Sequence, residues 1–89
     1  MIDEILEERG SRYGSFEDNA YISQGLKETM RQSDNWAVKP STVCEALDQI
    51  QCKIARILSG DDRYLDNWID IIGYAQLVLN EISPEDIDT

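Results

Sequence analysis

The sequence predicts an all-α fold, a small bundle of about four helices completed by oligomerisation. Three observations carry the prediction. Apolar residues recur every three or four positions over long stretches, and capping residues, glycines and a proline fall at the ends of those stretches. No segment alternates with the period of two that a half-buried strand needs. Eighty-nine residues make one domain, residues 1–89.

Residues 2–9 read as a short helix with Ile2, Ile5 and Leu6 on one side, stopped by Gly10, with SRYGS following as a turn. Ser15 to Asp18 resembles a capping box for a second helix over about 16–32. There Ile22, Leu26 and Met30 recur every four residues, Phe16 and Ala20 widen the apolar side, and Gly25 is either a weak point or a close-packing site. SDNWAVKPS is a loop whose Trp36 and Val38 fold back onto the core. Pro40 suits the start of a third helix, with Thr42 and Glu45 as its capping box. Val43, Leu47, Ile50, Ile54 and Ile57 keep a 4-3-4-3 spacing along it, and Gly60 ends it after Ser59. Asp61 or Asp62 caps a fourth helix over about 62–82. Leu65, Trp68, Ile72, Ala75, Leu79 and Ile82 form one seam on it, and Ile69, Ile71, Leu77 and Val78 carry the apolar character almost all round. Such a helix is central or lies in an oligomer interface. Residues 83–89 form an acidic, frayed tail.

Composition excludes several functions. The net charge of −10 repels phosphate backbones, which disfavours direct nucleic-acid binding. MIDEILEERG is amphipathic and acidic and does not read as a signal peptide. No apolar run approaches the roughly 20 residues that span a bilayer. Histidine is absent, which removes imidazole bases and ligands. Cys44 and Cys52 lie eight apart on one predicted helix, roughly 12 Å at the helical rise, too far to pair. They read as reduced thiols of a cytoplasmic protein.

Two acidic pairs carry the chemistry. Glu45 and Asp48 are three apart on the third helix, and Asp66 and Asp70 are four apart on the fourth. Each pair projects from one side of its helix, and a short loop makes the helices antiparallel neighbours. Like charges at this spacing work against the helix that holds them. Three readings stand: a solvated stripe, an ion-pair network with Lys53 and Arg56, or a set of four carboxylates around Mg2+. Lys53 and Arg56, three apart, either clamp phosphate oxygens or pair with acidic neighbours. In ERGSRYGS, Arg9, Arg12 and Tyr13 sit among glycines, so this turn is either an anion site built on main-chain amides or helix punctuation. Gly73, three residues after Asp70, marks a close helix crossing or room for a ligand, and Tyr74 beside it is core or presents a hydroxyl to a polar pocket.

The strings ERGSRYGSFEDNAYISQGLK, ALDQIQCKIARILSG and DNWIDIIGYAQLV resemble a family of small phage and prophage proteins of unassigned function, over roughly residues 6–80. More distantly, the third helix followed by D-x-x-x-D-x-x-G-Y is similar to MazG-like all-α nucleoside triphosphate pyrophosphohydrolases. That resemblance implies a bundle that dimerises or tetramerises and holds magnesium on a nucleotide's phosphates. Glu45, Asp48, Asp66 and Asp70 would be its metal ligands, with Glu45 or Asp70 as the catalytic base. Lys53 and Arg56 would lie on the phosphates. Arg12 and Tyr13, read from the turn and not from the resemblance, are further candidates for the phosphate or nucleotide side. Pyrophosphate would leave after cleavage between the α and β phosphates. Three of the four carboxylates are aspartate, one methylene shorter than the glutamates usual in those enzymes. The alternative is a non-catalytic phage protein of the host cytoplasm, one that sequesters a nucleotide signal or inhibits a host protein, with DNA mimicry as one route for so acidic a chain.

Overall fold

A computed structural model describes residues 2–82, and the acidic tail at 83–89 lies outside them. The described residues are all-α: α1 spans Ile2–Tyr13, α2 Phe16–Arg31, α3 Ser41–Ser59 and α4 Leu65–Glu81, with one 3-10 turn at Trp36–Val38. α3 packs on both α2 and α4, and these are the two most extensive helix contacts among the described residues. α1 touches the α2–α3 pair only lightly.

Local chemistry accounts for most boundaries. Ser15 caps α2 as expected, its hydroxyl accepting from the Asp18 amide at 3.1 Å. α3 begins after Pro40 and ends at Gly60, again as expected. Its predicted capping box does not form. Thr42 Oγ1 instead donates to Glu81 Oε2 at the end of α4, and Glu45 accepts from Gln49 Nε2 at 2.9 Å. α4 starts at Leu65, later than predicted, because residues 61–64 make a turn in which Asp61 Oδ1 accepts from the Arg63 amide at 2.8 Å.

α1 corrects the first boundary. Gly10 lies inside the helix, which runs on to Tyr13, and Gly14 at φ 78° ends it. The extra turn is held from outside. Ser59 Oγ donates to the Tyr13 carbonyl at 2.6 Å, and the Asp61 amide donates to the Arg12 carbonyl at 2.8 Å. Backbone crosses backbone here. A Cβ on Gly14 would collide with the Ser59 carbonyl, and one on Gly60 with the Arg12 carbonyl and the Tyr13 backbone.

The interior is unexpectedly polar. Among the described residues the buried apolar side chains are Ala46 and Ala55, while Ser23, Gln51, Lys53 and Asn67 are also buried. Ser23 Oγ donates to Gln51 Oε1 at 3.0 Å between α2 and α3, and Gln51 Nε2 donates to the Asp48 carbonyl at 2.8 Å. Val43, Ile50 and Ile57 are half-buried, but Leu47 and Ile54 of the same stripe are exposed. α4 turns Asn67, Ile71, Tyr74 and Val78 inward and leaves its predicted seam, including Leu65, Trp68, Ile72 and Leu79, exposed. α4 is therefore not the central helix; α3 is. Trp36 is half-buried under the Arg31 guanidinium, 4.8 Å from its ring, whereas Val38 is exposed and does not fold back.

The glycines divide by environment. Gly14→Ala should lower stability by at least about 2 kcal/mol, from left-handed strain and the clash with Ser59. Gly25→Ala, with open space at its Cβ in mid-helix, should raise it by about 0.4–1 kcal/mol. Urea unfolding of the two variants against the parent checks both signs.

Candidate functional site

A cleft of about 830 Å³ opens where the C-terminal half of α1, the start of α2 and the second half of α3 meet. Arg9, Tyr13, Phe16 and Arg56 line it together with Asn19, Ser23, Gln24 and Cys52. The crossing at Gly14 and Gly60 sets its shape, because it anchors the end of α1 on the end of α3. The Arg56 guanidinium lies over the Tyr13 ring, 4.7 Å from its centre. Tyr13 meets Tyr64 edge-on at 5.8 Å, and Arg12 lies 4.8 Å over the Tyr64 ring while donating to its hydroxyl at 3.0 Å. Two tyrosines in edge contact, each under one arginine, thus run from the cleft to the turn after α3.

Among the described residues no carboxylate lies within 4.0 Å of Arg9 or Arg56, while Arg12 pairs with Glu8 at 2.6 Å. The chain carries eight basic residues against eighteen acidic ones, so two guanidinium groups without carboxylate partners in one cleft form a local reversal of the molecule's charge. Phe16 is 88 % exposed at the cleft edge, a bare aromatic face. Arg12 and Tyr13, read from the sequence as anion-side residues, do belong to this region: Tyr13 lines the cleft and Arg12 braces it from behind.

The four carboxylates expected around one metal are dispersed over separate partners. Asp48 turns toward α2, where Arg31 Nη2 donates to its Oδ2 at 2.8 Å, and its buried Oδ1 has no partner among the described residues. Asp70 faces α3 and meets Lys53 Nζ at 3.1 Å. Asp66 Oδ2 accepts from the Tyr64 hydroxyl at 2.9 Å. Glu45 stays with Gln49 on the surface of α3. Among the described residues no group of three or more acidic or cysteine side chains is placed to hold a metal ion. Within a protomer, therefore, the donor set does not fit magnesium. Lys53, expected on the phosphates, is buried against α4 and does not line the cleft, whereas Arg56 does. Cys44 and Cys52 are both free and half-buried. Phe16, Asn19, Gln24 and Cys52 are among the lining residues that the sequence did not mark as a site. The one signal for them was their nearness in sequence to RYGS and to Arg56.

These features define a small all-α domain with an arginine- and aromatic-lined cleft. Residues 2–82 match a family described as a domain of unknown function, DUF6378, and the chain belongs to that family. No curated protein and no solved structure matches it.

Two measurements follow. The hydrogen bond to Asp66, first, and then desolvation hold the Tyr64 phenol above its ordinary value of 10.0, against the opposing pull of Arg12. The folded value exceeds the unfolded one. The contribution to stability is thus complete below pH 10 and is lost as pH rises through the folded value. Ultraviolet titration should show one phenol ionising late, and Asp66→Asn should bring it down. Separately, Asp70→Asn leaves the Lys53 ammonium buried without a carboxylate and should cost roughly 2–4 kcal/mol, while Lys53→Met should cost far less. Denaturant midpoints unchanged by magnesium or by chelator would accompany both if the pair is purely an ion pair.

Proposed function

We propose that this protein binds a phosphorylated nucleotide in the α1–α2–α3 cleft and does not hydrolyse it. One observation carries the reading: in a chain of net charge −10, Arg9 and Arg56 line one cleft together with Tyr13 and the exposed Phe16. Guanidinium groups suit phosphate oxygens in bidentate contact. Phe16 offers a base a face to stack on, worth about 1–3 kcal/mol by analogy with other nucleotide contacts. Asn19 and Gln24 supply amides for the base edge. The volume lies within the roughly 300–1,000 Å³ of small-molecule sites.

The resemblance to MazG-like proteins supports a nucleotide as ligand. Its enzymatic half needs magnesium held by Glu45, Asp48, Asp66 and Asp70, and the separate pairing of Asp48 with Arg31 and of Asp70 with Lys53 speaks against that within one protomer. Sequestration of a nucleotide signal is then the role that matches a binding cleft without a metal set.

Calorimetric titration with nucleoside mono-, di- and triphosphates, with and without magnesium, tests the reading. Saturable binding is expected, independent of magnesium in stoichiometry, with no pyrophosphate released. Arg56→Ala and Phe16→Ala should each weaken it about tenfold or more. Magnesium-dependent release of pyrophosphate that Asp70→Asn abolishes would replace this reading with the hydrolase one. Absence of binding to every nucleotide would end both.

A further inference from the structure

We infer that residues 2–9 of α1 form a lid, hinged at Gly10, that swings inward over the cleft when an anion is bound there. The inference rests on the reading of the cleft as a site for a phosphorylated ligand and adds how that site opens and closes. It starts from a helix that has the pattern of a packed element without the packing. At 3.6 residues per turn, Ile2, Ile5, Leu6, Arg9 and Tyr13 share one side of α1, and Asp3, Glu4, Glu7 and Glu8 take the other. Leu6, Arg9 and Tyr13 line the cleft, so the apolar side is the one turned toward it. Yet every residue from 2 to 11 is exposed, Ile2 by 64% and Leu6 by 60%. A helix of this length draws its stability from covering such a side. The surface that could cover it also lines the cleft, from α2: Phe16, itself exposed, with Ala20 one turn on.

α1 sets where the swing occurs. Its last turn is fixed, because the Arg12 and Tyr13 carbonyls accept from the Asp61 amide and the Ser59 hydroxyl. Gly10 comes just before. Nothing lies within 4 Å of where its Cβ would be, so no close crossing accounts for a glycine there. Glycine is the weakest residue for a helix interior short of proline. The Ser11 hydroxyl adds to the weakness by donating to the Glu8 carbonyl at 2.7 Å, in competition with the helix backbone. The Glu8–Arg12 pair spans Gly10 on the outer side, and an exposed pair of this kind offers little resistance to bending.

Charge makes the movement conditional. Arg9 rides on the lid and Arg56 on α3, and neither has a carboxylate within 4.0 Å among the described residues. Swinging the lid over an empty cleft turns one guanidinium toward the other, which is unfavourable. A phosphate between them converts that repulsion into charge-assisted contacts from both sides. The anion thus binds the closed position better than the open one, which is the condition for a ligand to shift the balance between them.

Calorimetry and spin-label distance measurements on the full chain test the lid, with inorganic phosphate and the common ribonucleoside triphosphates as probes. Labels go on Glu4→Cys and Glu28→Cys in a background with Cys44→Ser and Cys52→Ser. The distance between them should shorten on saturation, while a pair at Ser11→Cys and Glu28→Cys, with both labels beyond the hinge, should hold its distance. In the otherwise unaltered chain, Gly10→Ala stiffens the bend and should weaken binding about threefold. Gly25→Ala, an equally open mid-helix glycine on α2, should leave the affinity unchanged. Binding with no change between positions 4 and 28, or binding that Gly10→Ala leaves unchanged or tightens, would overturn the lid and leave the nucleotide reading standing. Failure of every probe to bind would remove both.

Discussion

The crossing of residues 12–14 over residues 59–61 is the constraint on which the rest of the molecule depends. α1 makes few contacts with the other helices, so its direction is set almost wholly at its last turn. There the Tyr13 and Arg12 carbonyls are satisfied by the Ser59 hydroxyl and the Asp61 amide. These are carbonyls that a helix end would otherwise offer to water. The approach is close enough that both crossing strands must be glycine, at 14 and 60. Once fixed, α1 forms one wall of the cleft, and Tyr13 is brought under Arg56 and against Tyr64. The cleft is thus a consequence of a backbone contact, and its Arg56 is held over an aromatic ring with no carboxylate partner among the described residues.

Charge is managed residue by residue. Eighteen acidic side chains on a small chain would be expected to crowd somewhere. Instead the carboxylates nearest the helix contacts each take a different partner: Arg31 for Asp48, Lys53 for Asp70, the Tyr64 hydroxyl for Asp66. Such pairs contribute little net energy when exposed, and more when one member is as enclosed as Lys53. What they achieve is to let polar side chains occupy the space between helices that leucines fill in most bundles. The buried Asn67 Nδ2, with no partner among the described residues, shows that the arrangement is not fully balanced.

The helices themselves were legible because their signals are local. The spacing of apolar residues, Ser15 before α2, Pro40 before α3 and Gly60 after it all act within a turn or two. Gly10 misled because the helix continues through it on the strength of contacts some 46 residues away, which no window of sequence contains. The face that each helix buries was not legible either. On α4 the apolar pattern points to Leu65, Trp68 and Ile72, but the side meeting α3 carries Asn67, Asp70 and Tyr74. Periodicity says that an apolar stripe exists and is silent on whether the cover belongs to the same chain. The acidic pairs failed for a related reason. Spacing places two carboxylates on one side of a helix, but an arginine at the end of α2 decided where Asp48 points. Of the candidate site, the turn with Arg9, Arg12 and Tyr13 stood out by its scarce positive charge and Arg56 by its spacing from Lys53, but nothing in the sequence joined Arg56 to the turn, and Phe16 looked like one more core position.

The pairing of Lys53 with Asp70 also governs how α4 can lie along α3. Apolar side chains tolerate sliding, since one leucine replaces another at little loss. An enclosed ammonium does not: moving α4 by a single turn, about 5.4 Å, would carry the carboxylate away and strand the cation. With so few large hydrophobic groups locked between the two helices, the ion pair, seconded by Thr42 and Glu81 at the far end, is what gives this antiparallel hairpin a single alignment. Its contribution is to uniqueness more than to strength.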